Sequence, residues 1–235
     1  MCMKKILFFD SGSGGVNVLA HCVKNKIAGD FLYFADTKDS PYGDKTAEGL
    51  RELVCQKLHE IYNFFRFDIV VFACNTLTTS AIEFARKVFQ NVIFVGTVPA
   101  IKPACEKYDE KEVLLMATNR TLGNLAFNGV CVPDLPKLID ENLLSLDNLN
   151  DYLNKHLSKY KDKKAVVLGC THYLAVKNII KTILPNAEIF DSNEGVAKRL
   201  KAFAGEGDYI VQFMESGSEN ISIFSKYFQN LVNFS

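Results

Sequence analysis

Two cysteines stand where apolar strands give way to small polar residues. One closes Phe67-Asp-Ile-Val-Val-Phe-Ala-Cys74 and is followed by Asn75 and Thr76. The other closes Lys164-Ala-Val-Val-Leu-Gly-Cys170 and is followed by Thr171 and His172. β-Branched apolar runs of this kind read as buried parallel strands. In an open α/β sheet, ligands gather beyond the carboxyl ends of the strands. Two thiols placed there, one in each half of the chain, could carry a proton from one face of a carbon to the other, one thiolate removing it and the opposite thiol returning one. A helix opening after each cysteine would lower its thiol pKa, as would a protonated His172. The competing reading is a buried structural cysteine, which is common. It would win for one such segment; two segments in the same setting favour function. Cys2, Cys22, Cys55, Cys105 and Cys131 lack that setting and read as packing residues, and His21, His59 and His156 as solvent-facing helix residues.

Three further segments sit at strand ends. Asp10-Ser11-Gly12-Ser13-Gly14-Gly15 joins the first strand to the first helix, where glycines permit close backbone approach and a helix N-terminus attracts an anion. A tight turn with Asp10 as helix cap accounts for it equally well. Asp36-Thr37 and Pro41-Tyr42-Gly43 follow the second strand and could offer N–H groups and a tyrosine to a small ligand, although an ordinary turn explains them too. Thr118-Asn119-Arg120-Thr121 combines hydroxyls with helix-start amides that suit a carboxylate, or simply caps a helix.

The elements that must position these residues alternate in type. Strand patterns fall at 6–9, 31–35, 69–73, 92–95, 113–117, 165–168, 188–190 and 209–213. Helical spacing runs through 16–27, 50–61, 81–88, 99–107, 174–183, 196–203 and 221–231, and through 135–160 with a break near 145–148. That order predicts an α/β fold with parallel sheets covered by helices on both faces. A chain of 235 residues, 48% hydrophobic, can bury a sizeable core without disulfides. Its 27 basic and 27 acidic residues give no sign of a nucleic-acid or anionic-membrane partner. Seven cysteines at irregular spacing, with no Cys-x-x-Cys, suggest neither a disulfide scaffold nor a zinc site. No apolar stretch approaches the roughly 18 residues of a membrane span, and the opening run is too short for a signal peptide. A cytoplasmic setting with reduced thiols is expected.

Taken in order, Asp10-Ser11-Gly12, Gly14-Gly15, Asp36-Thr37, Pro41-Tyr42-Gly43, Ala73-Cys74-Asn75-Thr76, Thr118/Thr121 and Gly169-Cys170-Thr171-His172-Tyr173 resemble the motifs of the glutamate racemase family, within the cofactor-independent aspartate/glutamate racemase superfamily. The resemblance spans nearly the whole chain, including a closing strand and helix in 211–228. It implies two pseudosymmetric α/β domains facing a central cleft, residues 1–97 with 207–235 forming one and 98–206 the other. It implies that Cys74 acts on the D-enantiomer and Cys170 on the L-enantiomer, with Asp10 assisting Cys74 and His172 assisting Cys170. Ser11, Pro41, Tyr42, Gly43, Asn75, Thr76, Thr118, Thr121 and Thr171 would hold the amino acid. Neither a metal nor pyridoxal phosphate is implied. The partner is an acidic amino acid, the product D-glutamate for peptidoglycan, and the assembly a homodimer.

The chain departs from that pattern in places. Ser13 stands where the family has a bulkier apolar residue, Leu174 where it often has proline, and the segment 96–100 lacks an acidic residue before proline. The stretch 121–138 is shorter than the family's. It precedes an acidic residue that supports the second cysteine, for which Asp140 or Glu141 is the nearest match. These changes leave room for aspartate or another acidic compound as substrate. A non-catalytic binding protein is argued against by retention of both thiols and their neighbours. A redox protein would need the two sulfurs nearly in contact.

Overall fold

The structure, a computed structural model, describes residues 3–217 and 221–233. Cys2 and part of the closing 211–228 segment lie outside the described residues. The chain opens with β1 (Lys5–Asp10), in which every residue after Lys5 is buried. That strand is central, so both of its faces are apolar. Ile6 and Phe8 point one way, Leu7 and Phe9 the other. It pairs in parallel with β2 (Gly29–Ala35) and β3 (Ile69–Phe72); β4 (Ile93–Gly96) extends the sheet beyond β3. At the other edge β9 (Tyr209–Glu215), from the far end of the chain, pairs in parallel with β2. The order is β4-β3-β1-β2-β9.

The second sheet has the order β6-β5-β7-β8, built from β5 (Val113–Ala117), β6 (Gly129–Val130), β7 (Ala165–Gly169) and β8 (Glu188–Phe190), all parallel. The α/β class with parallel sheets is as the sequence reads.

Helices cover both faces of the first sheet. On one side α1 (Gly14–Lys24) and α10 (Ile221–Asn233) bury Val16, Leu19, Phe224 and Phe228 against Ile6, Phe8 and Phe31. On the other, α2 (Ala47–Phe64) and α3 (Asn75–Val88) bury Leu50, Val54, Leu58 and Leu77 against Leu7, Phe9 and Phe72. The first of these cores is continuous with one face of the second sheet, where Leu114, Met116, Val166 and Leu168 meet Ile139 of α6 (Leu135–Glu141) and Leu153 of α7 (Asn150–Leu157). The join is α1, which packs on α9 (Asn193–Ala204) and on the turn after β7. At Gly14 a Cβ would stand 2.5 Å from the His172 amide nitrogen and 2.6 Å from Thr171 Oγ1, so only glycine allows that approach.

Several elements differ from the periodicity. α3 begins at Asn75, not Ala81, because its first turn is polar and carries no apolar spacing. Cys170 is followed by a 3₁₀ turn over Thr171–Leu174, and the regular helix α8 spans only Lys177–Ile183. α4 is confined to Ile101–Cys105, while α5 (Asn119–Asn124) and the two-residue β6 are too short to leave a pattern. Among the described residues no helix is long and apolar enough to cross a membrane.

Candidate active site

The carboxyl ends of β1 and β3 in one sheet and of β5 and β7 in the other border a cavity of 760 Å³. Cys74 and Cys170 both line it. Each follows directly on its strand, each has extended backbone, and each side chain is almost wholly buried. β3 pairs in register with β1 and β7 with β5, and the two cysteines follow at the carboxyl ends of these strands.

Cys74 is the N-cap residue of α3. Burial pushes its thiol pKa up, and the Asp10 carboxylate pushes it further, against hydrogen bonds from the Leu77 amide and the Ser11 side chain. This corrects the expectation that the helix start would lower it: desolvation of a thiolate outweighs one favourable helix end. Asp10, wholly buried, accepts from the Gly15 amide at 2.7 Å and from the Tyr33 hydroxyl at 3.2 Å through Oδ2. It therefore does tie down the first turn of α1, while its Oδ1 has no hydrogen-bond partner. Burial raises the Asp10 pKa although His172 opposes it.

Beside Cys170, His172 is held in the 3₁₀ turn with Nδ1 3.9 Å from the Cys170 sulfur and Nε2 3.2 Å from Asp140 Oδ2. Burial alone would favour neutral imidazole, but Asp140 and Cys170 outweigh it and hold the His172 pKa well above its ordinary value. For Asp140 the balance runs the other way. Burial would raise it, yet His172 and two hydrogen bonds from Ser13 keep its carboxyl below the usual range. Of the two acidic residues nearest the family's position, Asp140 thus meets His172. Glu141 also lines the cavity, and its carboxylate lies 3.8 Å from Lys137.

Ser11, Pro41, Tyr42, Gly43, Thr76 and Thr118 line the same cavity. Thr76 Oγ1 stands 2.9 Å from Thr118 Oγ1 and 3.3 Å from Thr121 Oγ1, which joins the start of α3 to the start of α5 across the two sheets. Asn75, Thr121, Thr171 and Asp10 lie behind this wall rather than on it. The Asn75 amide donates to the Thr97 carbonyl at 3.0 Å, and Thr171 packs against Gly14. The Tyr42 hydroxyl also turns away, donating to Asp36 Oδ2 at 2.7 Å; Lys57 Nζ stands 3.4 Å from Asp36 Oδ1 and 3.3 Å from Asp39 Oδ2.

Not every cysteine outside the pair is a packing residue. Cys105 is exposed at the end of α4, and half-buried Cys131 lies on the cavity wall. The approach of Cys131 comes from folding of the 121–138 stretch, which has no periodicity to reveal it. Ser13 and Lys57 reach the site through partners distant in sequence, Asp140 and Asp36, which no local pattern announces. Among the described residues no three His, Cys, Asp or Glu side chains gather as a metal site.

No family model matches the chain. A glutamate racemase of Clostridium novyi is 35% identical over 210 residues, covering 83% of this chain and 81% of its own length. A glutamate racemase of Clostridium acetobutylicum is 31% identical over 227 residues, covering 90% and 88%. Among solved structures, a glutamate racemase isoform from Bacillus anthracis superposes with a TM-score of 0.81 at 20% identity, over 99% of this chain and 95% of that one.

Proposed function

Because the chain belongs to the glutamate racemase family, a family of isomerases, we propose that it interconverts L- and D-glutamate by proton transfer between two cysteines and supplies D-glutamate for peptidoglycan. The observation that carries this reading is the pair of buried thiols, one from each sheet, on one cavity, with different polar partners. A substrate between them presents its α-carbon to a sulfur on each face. Cys74 takes the proton from the D-enantiomer while the Cys170 thiol gives one back; from the L-enantiomer the roles reverse. Asp10 assists Cys74 by accepting and returning its proton. His172, whose positive charge Asp140 supports, stands 3.9 Å from the Cys170 sulfur and assists proton transfer there.

Ser11, Pro41, Tyr42, Gly43, Thr76 and Thr118 meet the substrate's carboxylates and ammonium, and Asn75, Thr121 and Thr171 support them from behind. The reaction runs without metal or pyridoxal phosphate. The same reading carries the domain division at 1–97 with 207–235 and 98–206, a homodimer and a cytoplasmic setting.

The test is exchange of the α-proton in deuterium oxide, followed separately from L- and D-glutamate and from both enantiomers of aspartate. Wild-type protein should lose the α-proton signal of glutamate, and Cys74→Ala and Cys170→Ala should each slow racemisation by about 10² to 10⁴-fold, the range for a general acid or base. Activity should survive exhaustive chelation and carbonyl reagents. Racemisation at or near the wild-type rate in either alanine variant refutes the two-thiol mechanism. Exchange with aspartate alone refutes the choice of substrate.

A further inference from the structure

The proposed reaction leaves Ser13 without a role, yet its side chain is buried beside the chemistry. Ser13 is the N-cap residue of α1, but its hydroxyl accepts no hydrogen bond from its own helix, the common reason for a serine there. It donates instead to Asp140 Oδ1, and the Ser13 backbone N–H donates to the same oxygen at 3.2 Å. The other carboxylate oxygen faces His172 Nε2 at 3.2 Å, and His172 faces the Cys170 sulfur. The turn backbone is pressed against this pair: a Cβ at Gly12 would stand 2.5 Å from Asp140 Oδ2 and 2.8 Å from His172 Nε2. Ser13 follows a strand of the first sheet, whereas Asp140 and His172 belong to elements around the second. The carboxylate behind His172 is therefore gripped from the opposite half of the molecule.

We propose that Ser13 is a positioning residue for proton transfer at Cys170, its hydroxyl and amide fixing the Asp140 carboxylate against His172 from across the cleft. The inference rests on the reading of Cys170 as a proton-transfer group. Hydrogen bonds to an ionised acceptor are about twice as strong as neutral ones. With both oxygens engaged, the carboxylate cannot turn away from the imidazole. Loss of the Ser13 hydroxyl leaves Oδ1 with the amide alone, so the carboxylate rotates and supports the imidazolium less well. The titratable groups facing His172 are Asp140 from α6, Asp10 from the end of β1 and Cys170 from the end of β7; Asp140 in turn faces Asp10 and Tyr33. Ser13 bonds Asp140 in this set, so its substitution acts on His172 through that carboxylate.

The experiment compares wild type, Ser13→Ala and Ser13→Thr, the last retaining the hydroxyl. The first readout is the imidazole nitrogen titration of His172 in full-length protein labelled on its histidines, assigned with His172→Asn. In Ser13→Ala the His172 midpoint should fall by about one pH unit, and kcat/KM should fall by about tenfold in both directions. The α-deuterium isotope effect on kcat/KM should grow more from L-glutamate than from D-glutamate. Ser13→Thr should restore both quantities toward wild type. A His172 midpoint unmoved in folded Ser13→Ala overturns the proposal, whatever the activity. If Ser13→Thr does not fold, the midpoint in Ser13→Ala together with the isotope asymmetry decides, and equal isotope changes in both directions overturn it. Should wild-type protein exchange no α-proton from either enantiomer, the racemase reading fails on its own, while the titration still shows whether Ser13 holds the pair.

Discussion

At Cys74 one carboxylate exerts two effects of opposite sign. Asp10 raises the thiol pKa, so it hinders formation of the thiolate in the free protein. On the proposed mechanism it also accepts the proton that Cys74 must lose. Asp10→Asn separates the two. Alkylation of Cys74 by a neutral reagent at pH 8, followed by mass spectrometry, should speed up in the variant while racemisation slows. If both speed up, Asp10 only obstructs and is no proton partner. At His172 and Asp140 the prediction concerns stability. The folded His172 pKa is raised, so its contribution is complete below the unfolded value, about 6.5, and is lost as pH climbs through the folded value. The Asp140 pKa is lowered, so its contribution is present above the unfolded value and lost only as pH falls through the folded one. Asp140→Asn leaves a buried imidazole without its carboxylate and should cost about 3 kcal/mol near neutral pH, as expected for breaking a buried ion pair. Urea unfolding at several pH values should show this deficit shrinking above pH 6.5, by at most about 1.4 kcal/mol per pH unit. A deficit independent of pH from 6 to 9 would mean that the pair is not charged.

The segment between β2 and α2 gains its shape from its neighbours rather than from its own sequence. Tyr42 is tied to Asp36, Lys57 of α2 holds Asp36 and Asp39 together, and Arg120 of α5 donates to the Lys45 carbonyl at 2.6 Å. Lys57→Met keeps the stem that packs on α2 and removes the charge. It should raise KM for both enantiomers by about tenfold, the cost of one charged hydrogen bond, with kcat changed much less. A loss confined to kcat would reject this role. Other elements carry their own signal in the sequence. Ile69–Phe72 and Ala165–Gly169 announce themselves because a strand buried on both faces must be apolar throughout, and the thiols are found by standing at the ends of such runs. The first turn of α3 leaves no apolar pattern in the sequence because Asn75, Thr76, Thr78 and Thr79 are there for hydrogen bonds and not for the core. The Cys74 pKa runs opposite to the local signal because a helix start is written in the sequence, whereas full burial arises only in the packed fold. Asp140 could be shortlisted but not chosen over Glu141, since one residue along α6 rotates the side chain by about 100°.

Across the whole molecule, the two sheets touch the cavity from opposite sides and are bridged around it. Thr76 meets Thr118 and Thr121, Arg120 meets Lys45, and Asn124 donates to Thr79 at 3.2 Å. On the far side Ser13 meets Asp140. A ligand that contacts both walls adds its own bonds to this set and should stabilise both halves together. At a glutamate concentration of 100 times Kd, linkage supplies about 2.7 kcal/mol, and for a chain of this size each kcal/mol shifts Tm by about 2–4 °C. Saturating glutamate should therefore raise Tm by about 5–10 °C. Amide hydrogen exchange should slow in two places at once, around 42–45 on the first half and around 118–124 on the second. Arg120→Met removes one bridge without altering either thiol. It should weaken the Tm shift at a fixed glutamate concentration and uncouple the two regions, so that 118–124 loses more protection than 42–45. Protection confined to one region in the wild-type protein would mean that the ligand binds a single wall. A single wall cannot place a thiol on each face of the α-carbon, so that result would remove the geometric basis of the two-cysteine reaction.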